Sequence, residues 1–251
     1  MSTQNTLPSI IYADSDMMVL DKPAGITVNR SETTIHEGTV QDWIEQNYHD
    51  VYANPMGQDH DFYNRHGIVH RLDKETSGIL LIAKTKESFE ELQRQFKERE
   101  VKKTYLALAH GTLIPPEGEI NVPVGRLEFN RKRFGIVPGG RESMTHYKVL
   151  EMRYLHSRKQ KETLSLVELY PKTGRTHQIR VHLKHLNRPI FSDMLYAGRK
   201  TSRDDRRLLP RVFLHAAGIQ FFHPRTHKDM TFSAPLPHEL QSFWDSLEIE
   251  G

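Results

Sequence analysis

The chain has 251 residues, of which 37% are hydrophobic and 27% charged, proportions that are typical of a soluble globular protein. No apolar run reaches the roughly 18 residues of a membrane-spanning helix, and the first residues lack the basic and apolar stretches of a secretion signal. The absence of cysteine excludes disulfides, thiolate nucleophiles and cysteine-bound metals. We therefore expect a cytoplasmic protein.

Nothing in the sequence marks a boundary between domains. It contains no internal repeat, low-complexity tract or flexible linker, which predicts a single domain over residues 1–251. The formal net charge of +3 is too small to indicate nucleic-acid binding by itself. Basic residues cluster at 94–103, 126–133, 172–184 and 199–211. These clusters could line a phosphate-binding cleft, although solvated surface side chains are the commoner explanation.

Hydrophobic periodicity predicts many strands and few helices. In chain order, the pattern begins with a hairpin at 9–14 and 17–22, a helix capped by Thr39 and a polar loop at 54–64. It continues with a buried strand at 79–83, a helix at 86–100 and a strand at 102–109. Further strands are predicted at 143–152, 163–170, 212–222 and 230–233, with helices inside 174–185 and at 237–247. This succession predicts an α+β fold whose sheet is mixed and largely antiparallel.

The segment at 70–84, HRLDKETSGILLIAK, places a polar loop directly before an apolar strand. The loop carries His70, Arg71 and Asp73 at the mouth of the strand, where functional side chains are common. An isolated aspartate three residues before Thr76 is more often a turn or capping residue. In an extended loop, however, Arg71 and Asp73 point to the same side, which allows an ion pair or a phosphate contact near the carboxylate.

A second polar segment, PKTGRTHQIRVH at 171–182, combines a glycine turn with the predicted start of a helix. It brings Arg175, His177 and Arg180 to a helix N-terminus, where backbone N–H and guanidinium groups suit a phosphate or a carboxylate. Surface ion pairs are the alternative, although arginine in a first turn opposes the helix dipole. The histidines at 177, 182 and 185 suggest a metal, but no acidic ligand stands near them in the sequence, so we expect none.

Tyr105 lies on a predicted strand beside small residues. Strand alternation places it on the same face as Ala107 and Ala109. Buried packing is the default role of such a tyrosine, and a platform for a stacked base is the alternative. The sequence contains no glycine-rich phosphate loop, dinucleotide fingerprint, zinc-protease motif or serine-hydrolase motif, so those classes of enzyme lack support.

Five motifs follow one another along the chain: KPAG at 22–25, HRLDKETSGILLIAK at 70–84, KKTYLAL at 102–108, PKTGRTHQIRVHL at 171–183 and LHA at 214–216. Together they closely resemble the RluA family of RNA pseudouridine synthases, and the two longest carry the resemblance. It implies an α+β pseudouridine synthase fold, with a mixed, mostly antiparallel central sheet, flanking helices and a central RNA-binding cleft. It also implies isomerisation of uridine in RNA without a metal or an organic cofactor.

The same resemblance implies roles for individual residues. Asp73 corresponds to the catalytic aspartate, Tyr105 to a tyrosine against the target base, and Arg180 to an arginine paired with the aspartate. Arg71 corresponds to the residue that enters the RNA helix when the uridine flips out. We expect further RNA contacts from His70, Lys102, Arg175 and His177.

The chain departs from the family pattern in two places. Family members often carry an S4 RNA-binding domain ahead of the catalytic domain, whereas the predicted hairpin here begins near residue 10. We therefore expect the catalytic domain itself to bind a structured RNA at a stem-loop uridine, as a monomer without an obligate protein partner. In PIFSDMLYAG at 189–198, Ser192 replaces the family's glycine before Asp193, and one extra residue precedes Gly198. We expect this second departure to affect a local loop and not the active site.

Several alternatives stay open at this point. A non-catalytic RNA-binding protein on the same scaffold is disfavoured because Asp73, Tyr105 and Arg180 occur together. A glycoside hydrolase needs a second carboxylate near Asp73, and Glu75 is the one close candidate. If the chain is an isomerase, Asp73 could add to C1′ or remove the C2′ proton. The modified RNA could be tRNA or ribosomal RNA.

Overall fold

The computed structural model describes residues 7–31, 34, 37–54, 57, 59–156 and 161–249. The strands in this part of the chain are β1 (Ser9–Ala13), β2 (Met17–Lys22), β3 (Ser77–Ala83), β4 (Lys102–His110), β5 (Glu117–Asn121), β6 (Val124–Leu127), β7 (Asn130–Ile136), β8 (Met144–His156), β9 (Lys161–Pro171), β10 (Leu214–Phe222) and β11 (Asp229–Ser233). The helices are α1 (Val40–Tyr52), α2 (Asp61–Asn64), α3 (Lys86–Lys97), α4 (Gln178–His185), α5 (Arg199–Asp205) and α6 (His238–Asp245).

The chain divides into two compact units. Unit 1 comprises Met1–Val101 and Gly218–Ala234, and unit 2 comprises Lys102–Ala217 and Pro235–Gly251. The boundary therefore falls inside β10. That the units function as one domain over residues 1–251 stays a prediction.

Unit 1 is built on an antiparallel sheet that begins with the predicted hairpin. β1 pairs with β2, and β2 pairs with β3 from Met17↔Ala83 to Lys22↔Gly78. β2 and β3 are buried along nearly their whole length, which explains why MMVLDK and SGILLIA lack the alternation of a half-exposed strand. β11 pairs antiparallel with the part of β10 that belongs to this unit.

The two longer helices of unit 1 occur where they are predicted. The Thr39 hydroxyl accepts the Asp42 N–H, and the Asp42 carboxylate accepts the Thr39 N–H at 2.8 Å, so a capping box starts α1. The helix predicted over 86–100 is shorter and ends at Lys97. It stops because Arg99 has a left-handed φ of 64°, through which a right-handed helix cannot continue.

Part of the polar loop predicted over 54–64 is helical. α2 makes a single turn in which Phe62 is buried, with ring centroids 5.4 Å from Tyr52 and 6.0 Å from Phe89. The burial of one aromatic ring stabilises this turn, and four residues are too few to show helical periodicity. Residues 55, 56 and 58 of the predicted loop lie outside the described residues.

Unit 2 contains strands in the order β10-β4-β9-β8-β5. The pairs β4–β9, β9–β8 and β8–β5 are antiparallel. β6 and β7 pair antiparallel in a separate two-stranded sheet. β5, β6 and β7 are absent from the predicted elements, because their glycines and charged residues hide any alternation.

The core of unit 2 packs strands against helices. Ile179 and Leu183 on α4 are buried in it, as the helical period within 174–185 predicts. α5 is absent from the predicted elements because its sequence, RKTSRDD, is polar throughout. The buried members of the core include Ala107, Leu108, Leu166, Val167, Phe191, Phe213, Leu240 and Trp244.

These observations confirm the predicted α+β class with a mixed, mostly antiparallel sheet and flanking helices. Among the described residues, no helix combines the length and the apolar character needed to cross a bilayer.

Candidate active site

Asp73 lies in unit 1, in a short turn that leads into β3. The turn closes through a hydrogen bond of 3.1 Å from the Thr76 N–H to the Asp73 carbonyl. Leu72 on the other side is buried, whereas Asp73 itself is half-buried. A backbone anchored on both sides and a carboxylate within reach of solvent suit a group that meets a ligand from a fixed position.

The fully buried side chain of Lys22 connects this turn to the end of β2. Its Nζ donates hydrogen bonds of 2.8, 3.0 and 3.3 Å to three carbonyl oxygens, those of Pro23, Ile26 and Lys74. Since Lys74 follows Asp73 directly, the KPAG segment and the aspartate turn form one hydrogen-bonded structure. In the sequence, KPAG is only one part of the family resemblance. A lysine that ends a buried apolar strand was the signal for this role, because a buried ammonium requires acceptors.

His70 and Arg71, both predicted to contact RNA, have different surroundings in unit 1. The His70 Nε2 accepts the Leu81 N–H at 2.9 Å, and the His70 ring stacks on Phe96 with 4.8 Å between centroids. These contacts fix the loop before Asp73 to β3 and α3. Arg71 is exposed, as a side chain that contacts RNA must be. RNA contact by either residue stays a prediction.

In unit 2, Arg180 forms a bidentate ion pair with Asp193. The Arg180 Nε donates to Asp193 Oδ2 at 2.7 Å, and Nη2 donates to Oδ1 at 2.8 Å. The Asp193 side chain is fully buried, and 9% of the Arg180 side chain is exposed. Oδ1 also accepts the backbone N–H groups of Leu195 and Tyr196, so the carboxylate is fixed by its own loop and in turn orients the guanidinium. The pairing of Arg180 with Asp73 that the resemblance implies stays a prediction.

The loop that carries Asp193 is the one in which the chain departs from the family pattern. Ser192 has a left-handed φ of 65°, a conformation that favours glycine. Its N–H donates to Asp205 Oδ2 at 3.0 Å, and its hydroxyl donates to the Leu209 carbonyl at 2.5 Å. Because Asp193 binds Arg180, this loop belongs to the surroundings of a predicted catalytic residue. No role for Asp193 was predicted from the sequence, although an aspartate in a stretch that the family shares was a signal for one.

His177 and Tyr196 form a hydrogen-bonded pair beside Arg180. The Tyr196 hydroxyl accepts the Phe134 N–H at 3.0 Å and lies 2.9 Å from His177 Nδ1. The Tyr196 hydroxyl thus links the His177 ring to the backbone of Phe134. The Tyr196 ring centroid is 5.0 Å from the Arg180 guanidinium carbon, a cation–π contact. Burial raises the pKa of Tyr196, so its hydroxyl stays protonated and orients both neighbours.

The segment before α4 is folded around the buried side chain of Gln178, for which the sequence predicted no role. The Gln178 Oε1 accepts from the Thr173 hydroxyl at 2.7 Å and from the Arg175 N–H at 3.0 Å. Its Nε2 donates to the Met144 carbonyl at 3.0 Å. The Arg175 Nε donates to the Glu142 carbonyl at 3.2 Å. Contact of Arg175 with RNA stays a prediction.

Tyr105 is half-buried on β4, while Ala107 and Ala109 on the same face are fully buried. Tyr105 therefore keeps part of its surface accessible. Lys102 at the start of the same strand is exposed. Its neighbour Lys103 is half-buried, and burial lowers the pKa of Lys103 to about 8, which makes it a further candidate site residue.

The structure places His182, one of the three histidines considered as metal ligands, inside unit 2. His182 is fully buried with its Nδ1 2.9 Å from Thr145 Oγ1, and burial lowers the pKa of His182 to about 4. Within the described ranges, one cluster has the spacing of metal ligands: Asp14, Asp16 and His223. The His223 Nδ1 accepts two backbone N–H groups, so Nε2 carries a proton and donates it to Asp14 at 2.9 Å. A metal would have to displace that proton, and the cluster is accounted for by its own hydrogen bonds.

The chain matches a known protein family over most of its length. The sequence profile of the RNA pseudouridylate synthase family matches residues 16–185, which include Asp73, Tyr105 and Arg180. The chain therefore belongs to the RNA pseudouridylate synthase family.

Individual relatives are similar over nearly the whole chain. The ribosomal large subunit pseudouridine synthase D of Neisseria meningitidis serogroup B is 36% identical over 249 residues, which cover 96% of this chain and 62% of that protein. The uncharacterized RNA pseudouridine synthase YhcT of Bacillus subtilis is 37% identical over 233 residues, 93% of this chain and 70% of that protein. The chain thus spans less than two thirds of the Neisseria protein.

A solved structure supports the fold. Human RNA pseudouridylate synthase domain containing 1 superposes with a TM-score of 0.71 and 28% sequence identity, covering 97% of this chain and 89% of the human one.

Proposed function

We propose that this protein isomerises a specific uridine of a structured RNA to pseudouridine, with Asp73 as the catalytic carboxylate. The observation that carries the proposal is the family match over residues 16–185, within which Asp73 has a half-buried side chain on a firmly anchored turn. In the reaction the bond from C1′ to N1 of uracil breaks, a bond from C1′ to C5 forms, C5 releases its proton to solvent, and N1 takes up one proton. The atoms balance without a further reactant.

The proposed roles follow from the chemistry of each side chain. Asp73 acts in its ionised form, either by adding to C1′ or by removing the C2′ proton. A nearby guanidinium favours an ionised carboxylate, which is the role proposed for Arg180. Tyr105 offers a ring face to the uracil and a hydroxyl that can take part in proton transfer at C5.

The substrate is proposed to be a uridine in a stem-loop, and the names of the relatives favour large-subunit ribosomal RNA over tRNA. A uridine inside a helix is inaccessible to Asp73 until it leaves the base stack. The exposed Arg71 is proposed to fill the space that the flipped uridine vacates. Location in the cytoplasm and a monomeric state stay predictions.

The assignment of Asp73 is tested with the Asp73→Asn variant. Asparagine keeps the shape of the side chain and removes its basicity and charge, so tritium release from 5-tritiated RNA is expected to fall by at least about 100-fold while RNA binding survives. The matched control is Asp50→Asn, since the Asp50 side chain is fully exposed. A variant at position 73 with tritium release near that of the control would refute the assignment.

Recognition of RNA is tested with Arg71→Ala at several salt concentrations. The logarithm of the RNA-binding constant falls linearly with the logarithm of the salt concentration, with a slope of about 0.7 to 0.9 for each phosphate contact. Because several phosphate contacts are proposed, we expect RNA binding to weaken steeply as salt is added. Arg71→Ala is expected to slow turnover on a stem-loop more than it weakens binding. Equal turnover of a stem-loop and an unstructured oligomer, or a flat salt response, would contradict the proposal.

Pseudouridine mapping in RNA of cells with and without the protein identifies the target and decides between ribosomal RNA and tRNA.

A further inference from the structure

Unit 2 contains a buried histidine between two carboxylates. This histidine is not one of the residues predicted to act on RNA. His110 ends β4, and both of its ring nitrogens face carboxylate oxygens. Nδ1 is 2.7 Å from Glu162 Oε1 on β9, and Nε2 is 3.0 Å from Asp205 Oδ2 on α5. His110 and Asp205 are 7% and 5% exposed, and the His110 ring stacks on Phe191 with 5.3 Å between centroids.

The geometry of this cluster defines the charge of its histidine. Ionised carboxylates only accept hydrogen bonds, so each contact requires a proton on the ring nitrogen concerned, and the ring must be an imidazolium. Burial opposes that charge, but the hydrogen bonds from His110 to Asp205 and Glu162 outweigh it and raise the pKa of His110 to about 9. At neutral pH the cluster therefore has one buried positive charge between two negative ones.

A short path of hydrogen bonds leads from this cluster towards Arg180. The Asp205 Oδ2 that accepts from His110 also accepts the Ser192 N–H at 3.0 Å. Ser192 has a left-handed φ of 65°, a conformation that is unfavourable for a non-glycine residue and needs such contacts to persist. The next residue is Asp193, which forms the bidentate ion pair with Arg180.

We infer that His110 is a positioning residue: its imidazolium fixes Asp205, and Asp205 fixes the backbone at Ser192, so that Asp193 aims the Arg180 guanidinium. Glu162 holds the second ring nitrogen and sets the ring plane. Nothing in the five family motifs assigns His110 a role. The effect of His110 on turnover rests on the proposed function, whereas its protonation state does not.

Two substitutions separate positioning from general stability. Gln at position 110 can place its Nε2 where the histidine Nε2 lies and still donate to Asp205. Asn is shorter and can replace only the donor at Nδ1, which faces Glu162. We expect His110→Asn to lower kcat on the order of 10- to 100-fold, as misplaced groups commonly do, with KM for RNA little changed. We expect His110→Gln to restore most of the lost kcat.

The matched control is Asp204→Asn, the exposed neighbour of Asp205 on the same helix, which should keep the wild-type kcat. Equal losses of kcat in His110→Asn and His110→Gln, or a loss in neither, would overturn the inference. Both variants remove the positive charge, so a role of that charge alone predicts equal effects on kcat.

A measurement on the wild-type protein tests the cluster independently of activity. Nitrogen-15 spectra of the histidine rings are expected to show a histidine with protons on both ring nitrogens at pH 7.5, and this signal should disappear in His110→Gln. Neutral His110 at that pH would overturn the inference even if the enzyme is active. Inactive wild-type protein with an imidazolium at His110 would instead count against the proposed function and leave the cluster established.

Discussion

The ion pair between Arg180 and Asp193 supports the most direct quantitative prediction. Asp193→Asn keeps the shape of the side chain but replaces a carboxylate with a neutral amide. The substitution takes a negative charge away from the guanidinium Nε and Nη2, which lie 2.7 and 2.8 Å from the carboxylate oxygens. We expect the free energy of unfolding to fall, because the arginine charge remains in a position that is 9% exposed.

The size of this loss in the free energy of unfolding follows from the burial of the ion pair. Removing one partner of a buried ion pair costs about 3 to 5 kcal/mol, whereas an exposed pair contributes about 0 to 1 kcal/mol. Asparagine keeps an oxygen that accepts the N–H groups of Leu195 and Tyr196, so the lower end, about 3 kcal/mol, applies to Asp193→Asn. For the control Asp204→Asn we expect less than about 1 kcal/mol, since Asp204 and Arg207 are 50% and 72% exposed.

The loss of free energy of unfolding in each variant is measured by urea denaturation, with circular dichroism as the signal. A difference of about 2 kcal/mol or more between the two variants is expected. If Asp193→Asn costs no more than the control, the buried pair does not stabilise unit 2 and its proposed part in orienting Arg180 fails with it. Restoration of stability by Asp193→Asn combined with Arg180→Met would support the charge as the cause.

Two further predictions concern a glycine and a tyrosine. Gly67→Ala should lower the free energy of unfolding by about 3 kcal/mol, because φ is +69° and the new Cβ would lie 2.0 Å from the Ala83 carbonyl oxygen. Gly25→Ala should destabilise the protein less, by the backbone strain alone, because φ is +91° but the space around the new Cβ is open. Equal urea midpoints for the two variants would contradict this difference. Tyr105→Phe should bind RNA nearly normally and release tritium slowly if the hydroxyl handles the C5 proton; wild-type release would leave Tyr105 as a stacking platform only.

Elements with local signals were predictable from the sequence. The β1–β2 hairpin combines two apolar runs with a polar turn, and α1 starts at a capping box formed by residues three positions apart. α2 and β5–β7 were not predictable in this way. Phe62 stabilises α2 by contacts with rings elsewhere in the chain, and β5 exists through pairing with β8.

The candidate site likewise contains residues that the sequence indicated and contacts that it did not. Motifs of contiguous residues pointed to Asp73, Tyr105 and Arg180, since spacing within a loop or helix can be seen in one short segment. The sequence did not indicate that Lys22 donates to the Lys74 carbonyl 52 positions away, or that Asp193 binds Arg180.

The sequence by itself determined the class of fold, most of the strands and the family, because hydrophobic periodicity, caps and motifs are properties of neighbouring residues. Only the tertiary structure decided which charges are buried together. His110 and Asp205 are separated by 95 positions, and no local pattern pairs them. A buried charge is stable only beside a partner that satisfies it, and the fold alone determines which partner that is.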